Sequence, residues 1–314
     1  MSTVLTTDAD RRRFVQMLGA GLILPRVAEA AGVADASGIG RPPAALTAHS
    51  GSNARAGSVI DSSLHCITRI HQILIVDGFA TPKKISSILT SSMASLKSFY
   101  PEAKYTLWNG DALRSFIVDK FGREVTQAFD RLKPYAYKAD LGRYCLLYEG
   151  GGLYSDVALA HEQQLRIPTN RGFAAFREPF PWMDDPGGVT NSLLWAKPKR
   201  PEMELIINKV LAHCRDRFYG RSSLDPTGPW LLGKVCAAVA TDQWRSGSDN
   251  DQYIGICSDP RRGEPIHFQT CESEPRRVAF RIPRTGSDWS IFNMKGVNNY
   301  THMWQRKDVY VSAI

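Results

Sequence analysis

The sequence predicts an α/β fold with a mostly parallel, Rossmann-like sheet flanked by helices, and three observations carry that prediction. First, an apolar, β-branched run from Cys66 to Val76 precedes a helical stretch from Ser86 to Phe99 and a second short run from Tyr105 to Trp108. Strand, helix, strand in that order is a parallel unit. Second, Tyr137, Leu141, Cys145 and Tyr148 recur at helical spacing, stop at Gly150, Gly151 and Gly152, and lead into a strand from Leu153 to Leu159. Third, 314 residues with 43% hydrophobic and 22% charged side chains are enough to bury a sizeable core, which excludes a collagenous or largely disordered chain.

Taken in order, the N-terminus shows Arg11, Arg12, Arg13, Phe14 and Val15, an apolar run from Met17 to Leu24, and Ala28 and Ala30 at cleavage-like spacing. This is the layout of a twin-arginine export signal over residues 1–31, which predicts export to the periplasm or cell surface. The alternative is a cytoplasmic protein peripheral to the membrane. Residues 32–63, rich in Ala, Gly, Ser and Pro, read as a flexible linker. The folded core is expected over residues 64–240, with 241–314 a less regular C-terminal part of the same domain. Asp77 and Gly78 turn the chain after the first strand, and Pro101 stops the first helix. Asp111 is the expected cap of a helix to about Phe121, a further helix covers Glu124 to Leu132, and Pro134 opens the next. No interior stretch is long and apolar enough to span a membrane.

A formal net charge of +8 favours an anionic ligand. The densest basic stretch, Arg276, Arg277, Arg281 and Arg284, belongs to no nucleic-acid-binding module, so no nucleic-acid partner is expected. Of six scattered cysteines only Cys257 and Cys271 are candidates to pair, and no cysteine metal site is spaced for zinc.

On the helix after Pro134, Asp140 and Arg143 are neighbours on one face, beside the apolar stripe. As a plain helical ion pair they would contribute about 0.3–0.5 kcal/mol. The segment just beyond that helix gives the pair more weight. There the triple-glycine stop leads into Tyr154, Ser155, Asp156 and Val157, which delivers a carboxylate at the carboxyl end of a strand, where open α/β sheets bind ligands. Asp184 and Asp185 beside Pro186 read as a solvated turn. No serine-nucleophile elbow, phosphate-binding Gly-Lys loop or metalloprotease helix occurs.

The block from Leu132 through Asp140 and Arg143 to Asp156 resembles the sugar-binding DXD region of the yeast-type α-1,6-mannosyltransferase and capsular-polysaccharide transferase family, and more distantly the clostridial glucosylating toxins. The likeness extends to Ile70, His71, Gln72 and Ile73 and to Tyr105–Trp108. It implies a GT-A fold and a retaining transfer of a hexose from a UDP- or GDP-sugar to a hydroxyl of a glycan or glycolipid. By the same likeness Asp140, Arg143 and Asp156 are the catalytic residues. His71, Gln72, Trp108 and Tyr154 join Asp140 and Arg143 on the donor, and Asn191 and Gly228 are acceptor candidates on a C-terminal acceptor side. The motif implies Mn2+ or Mg2+ on Asp156, with His302 a further candidate and His161 a weaker one. Two positions depart from the pattern: Ala158 replaces the second motif carboxylate, and Leu74 the tryptophan after the first strand. The departures leave open a non-catalytic carbohydrate or nucleotide-sugar binding protein derived from this fold.

Overall fold

The computed structural model describes residues 62–178, 187–258, 265–283 and 298–311, all within one compact unit, Val59–Ile314. The export-type segment, nearly all of the linker, Asp184, Asp185 and Arg284 lie outside the described residues. Among the described residues no helix is long and apolar enough to cross a membrane.

The expected opening unit is present. Strand β1 (Arg69–Ile73) pairs in parallel with β2 (Lys104–Trp108), and helix α1 (Ser87–Phe99) connects them, capped by the Ser86 hydroxyl on the Leu89 amide. Helix α2 (Gly110–Arg131) carries the two expected arms, joined at Gly122, whose φ of 70° breaks the helical path. Its cap is Asn109, which accepts from the Ala112 amide, and not Asp111. Helix α3 (Tyr135–Gly150) leads into β3 (Gly152–Ser155) and, after a turn, β4 (Leu159–His161). The chain continues through β5 (Phe173–Arg177), β6 (Val189–Ala196), α4 (Pro201–Asp216), α5 (Pro229–Arg245), β7 (Gln252–Cys257), β8 (His267–Gln269), β9 (Arg277–Arg281) and α6 (Tyr300–Gln305).

Among the described residues the nine strands form one sheet in the order β2-β1-β3-β6-β5-β7-β8-β9-β4. It is mixed where the sequence suggested mostly parallel: β1–β2, β1–β3 and β5–β7 are parallel, and the other five pairs are antiparallel. The C-terminal part is also more regular than expected, because it supplies β7, β8 and β9. Alternation along the strands buries both faces. Tyr154, Leu194 and Ala175 face a core shared with α2, α3, α4 and α5, while Leu153, Leu193 and Phe176 face one that takes in Leu96 of α1.

Helix α3 lies in the first of these cores and is buried around most of its circumference, charged side chains included. Gly142 permits this, since a Cβ there would stand 2.4 Å from Leu113 Cδ2. The glycine stop has its own cause. Gly151 and Gly152 take φ of 61° and 104°, and a Cβ on either would meet backbone within 2.8 Å. No other residue turns the chain from helix to strand in that space. All six cysteines are free, so Cys257, which is buried, and Cys271, which is exposed, do not pair.

Candidate active site

A cavity of about 270 Å³ opens where β1 and β3 end and α3 begins. Its lining includes residues 73–77 after β1, Asp140 and Arg143 of α3, Tyr154 and Asp156 at the end of β3, and Asn191 of β6. Asn298 and Tyr300 close it from the C-terminal segment. That segment is tied to the α2–α3 junction by the Leu132–Tyr310 bridge and by the Lys133 amide on the Val309 carbonyl, 2.9 Å.

Asp140, Arg143 and Asp156 meet in this cavity, and their bonding separates their roles. The Asp140 carboxylate is engaged on both oxygens: Oδ1 by Arg143 Nη2 (3.0 Å) and Asn191 Nδ2 (2.8 Å), Oδ2 by the Thr227 hydroxyl (2.7 Å). Burial raises its pKa to about 6, against the pull of Arg143 and Thr227. Arg143 is spent inside the protein as well. Its Nε donates to the Ala139 carbonyl, and its Nη1 to the Asn191 carbonyl (2.7 Å) and Asp156 Oδ1 (3.0 Å), while the guanidinium lies 4.5 Å from the Tyr154 ring centre. Four of the five N–H groups of a guanidinium are thereby used.

Asp156 differs. Oδ1 accepts from the Tyr154 hydroxyl (2.6 Å) and Arg143, but Oδ2 accepts nothing among the described residues, and the side chain is 30% exposed. Asp140 and Arg143 are thus bonded within the protein on nearly every polar atom, and Asp156 keeps one carboxylate oxygen unbonded among the described residues. Asn191 and Gly228 also line the cavity, the former inside the Asp140 network and the latter at the start of α5.

His71, Gln72 and Trp108 are not brought to the cavity. His71 and Gln72 lie within the β1 ladder, two and one residues before its last member Ile73, and Trp108 ends β2 opposite Ile73. His71 is buried between the Gly151 carbonyl (3.2 Å) and Trp108 Nε1 (3.3 Å), and burial lowers its pKa to about 4, so it is neutral near pH 7. Gln72 supports the site from behind, donating to the Asp156 carbonyl (3.3 Å). Leu74, in place of the motif tryptophan, does line the cavity.

Mn2+ or Mg2+ finds a thin donor set. Among the described residues no group of three His, Cys, Asp or Glu side chains is placed to hold an ion. His302 is exposed on α6 and His161 is buried against the Ser155 hydroxyl, both away from the cavity lining. Ala158 is packed in an apolar cluster with Leu74, Leu89, Met93 and Val157. Of the metal candidates read from the sequence, Asp156 is the one that lines the cavity.

Among the lining residues that sequence reading did not find are Arg281, Glu178, Thr190 and Ser192. Arg281, the last residue of β9, donates to Thr190 Oγ1 (3.4 Å) and Ser192 Oγ (3.3 Å) and stands 3.7 Å from Glu178 Oε1. Glu178 Oε2 is buried without a hydrogen-bond partner among the described residues. The basic stretch around Arg281 was visible as charge, but nothing local tied one of its members to Asp156.

Residues 88–172, which contain Asp140, Arg143, Tyr154 and Asp156, match the family model described as glycosyltransferase sugar-binding region containing DXD motif. The match takes in about a quarter of the chain. Similar proteins include an uncharacterised glycosyltransferase of Acanthamoeba polyphaga mimivirus, 25% identical over 47% of this chain and 56% of that protein. Inositol phosphoceramide mannosyltransferase 2 of Schizosaccharomyces pombe is 30% identical over 35% of this chain and 30% of its own length. The chain thus spans between about a third and somewhat over half of these relatives. Among solved structures, the ligand-free glycosyltransferase domain of the YGT toxin aligns over 60% of this chain and 79% of that one, at 10% identity and a TM-score of 0.43.

Proposed function

We propose that this protein is a retaining hexosyltransferase, taking a UDP- or GDP-hexose as donor and a glycan or glycolipid hydroxyl as acceptor. The observation that carries the reading is the Asp140–Arg143–Asp156 network at the carboxyl edge of the sheet, inside the segment that matches a sugar-binding region. An anion-bearing sugar suits the place: the cavity supplies hydrogen-bond acceptors for hydroxyls at Asp156 and Glu178 and a cationic donor at Arg281. Retention follows the family resemblance. The same reading, with residues 1–31 as a signal, puts the protein outside the cytoplasm.

Asp156 Oδ2 accepts a hydroxyl of the transferred sugar, and the buried supports on Oδ1 keep the carboxylate from turning away. Fixed orientation of this kind lowers the barrier because the entropy of alignment is already spent. A screen of UDP- and GDP-hexoses, scored for binding and for donor hydrolysis, tests the reading with Asp156→Asn beside wild type. The expected result is turnover of one donor, reduced about a hundredfold in the variant with stability nearly unchanged. Full activity of Asp156→Asn would remove the assignment. Binding without turnover by wild type would favour the non-catalytic alternative that Ala158 leaves open.

A further inference from the structure

The turn that carries the motif is bonded directly to the C-terminal strand β9. The Ile282 amide donates to the Ala158 carbonyl at 3.0 Å, and Leu159 stands opposite Arg281 in the antiparallel register of β4 and β9. A guanidinium is therefore fixed beside the segment in which the motif has lost a carboxylate. Arg281 is loosely engaged there. Its contacts with Thr190, Ser192 and Glu178 run from 3.3 to 3.7 Å, against 2.7–3.2 Å for Arg143. Its neighbour Glu178, with a side chain only 3% exposed, keeps Oε2 buried and without a hydrogen-bond partner among the described residues. A pair held this way lacks the contacts that a ligand with anionic oxygens and hydroxyls would supply, and an orphaned buried acceptor is costly until something meets it.

We infer that Arg281 takes the charge of the donor's diphosphate in place of a divalent cation, with Glu178 Oε2 accepting a ligand hydroxyl. The inference rests on the nucleotide-sugar reading above. Two features of the chemistry favour arginine. A guanidinium stays protonated throughout and can bond two phosphate oxygens at once. Fixed positive charge aimed at the departing oxygens also needs no reorganisation as the bond breaks. In the step itself the bond from the sugar's anomeric carbon to the β-phosphate oxygen breaks, and its electron pair leaves on that oxygen. The acceptor hydroxyl oxygen forms the new bond to the same carbon, and its proton passes to the departing diphosphate. Arg281 neither gives nor takes a proton.

Calorimetric titration of UDP and of GDP into the full chain, with EDTA and separately with MnCl2, tests this, alongside Arg281→Gln and Arg281→Lys. The expected result is that one nucleotide binds wild type equally well in EDTA and in Mn2+, within about twofold. Arg281→Gln should weaken it about tenfold or more, and Arg281→Lys by less, because the charge is kept while the fork is lost. Binding by wild type only when Mn2+ is present would overturn the inference and leave the nucleotide-sugar reading standing. Binding in EDTA that Arg281→Gln does not alter would do the same. Should neither nucleotide bind wild type in either condition, the nucleotide-sugar reading falls and the inference with it. The wild-type comparison needs no variant to fold, and thermal melts of both variants show whether their binding refers to native protein.

Discussion

Replacing Asp140 by alanine separates a helical surface ion pair from a buried network. A solvated pair at this spacing would lose about 0.3–0.5 kcal/mol, which is near the limit of a melting experiment. In the structure three donors lose their acceptor together. The Thr227 hydroxyl loses its carboxylate, Asn191 Nδ2 keeps only the Tyr144 hydroxyl at 2.8 Å, and buried Arg143 is left with Asp156 as its one carboxylate beside the Ala139 and Asn191 carbonyls. Breaking a buried, hydrogen-bonded charge pair from one side costs about 3 kcal/mol or more. For a domain of this size that is a fall in Tm of roughly 6–12 °C. The pH dependence gives a second check. The folded state holds the Asp140 proton more tightly than the unfolded chain does, with a pKa of about 6 against 3.8. Its contribution to stability therefore declines as pH rises through that window, and the gap between wild type and Asp140→Asn should narrow from pH 4 to 6.5. Thermal and urea melts at both pH values measure it. A Tm change under about 2 °C for Asp140→Ala, or a gap that widens with pH, would refute the buried-network reasoning.

Ala158→Asp, which restores the family spelling, should cost about 2 kcal/mol or more and leave Mn2+ affinity unchanged, because the new carboxylate enters a cluster of Leu74, Leu89 and Met93; isothermal titration with metal and a urea melt would show it. His71→Gln should leave UDP and GDP affinity as in wild type, since His71 is outside the cavity. The same variant should flatten part of the acid limb of stability: a histidine held near pKa 4 contributes fully above its unfolded value of 6.5 and loses that contribution as pH falls through about 4, as equilibrium melts across this range will register. Mass spectrometry of protein from the native host should find the first thirty or so residues removed, and Arg11→Lys with Arg12→Lys should block export; an intact N-terminus on active cytoplasmic protein would end that proposal.

The residues that could be read from sequence were those whose placement is decided locally. Helical spacing puts Asp140 beside Arg143, and a glycine stop before a short strand puts Asp156 at a sheet edge; each is dictated by a few consecutive residues. His71, Gln72 and Trp108 were misplaced by a distance of a few residues along a strand. The apolar run continues past the last ladder pair, Ile73 with Trp108, so the cavity begins at Ile73–Asp77; His71 and Gln72 fall behind it, and Trp108, level with Ile73 on the outer strand β2, donates its indole N–H to His71. Arg281 and Glu178 could not be found this way at all. They reach Asp156 through the pairing of β9 with β4 and of β5 with β6, and strand register between distant segments leaves no periodic mark on either one. The mixed sheet was missed for the same reason, because β6 enters antiparallel between β3 and β5.

The tie between Leu132 and Tyr310 also sets when the protein can first work. Asp156 leaves the ribosome roughly 150 residues ahead of Tyr310, which at about 5–20 residues per second is a delay of roughly 8–30 s. For most of that interval the nascent chain has Asp156 but neither Arg281 nor the wall formed by Asn298 and Tyr300. The cavity that Asp156 lines is therefore unfinished until the segment around Tyr310 has been made.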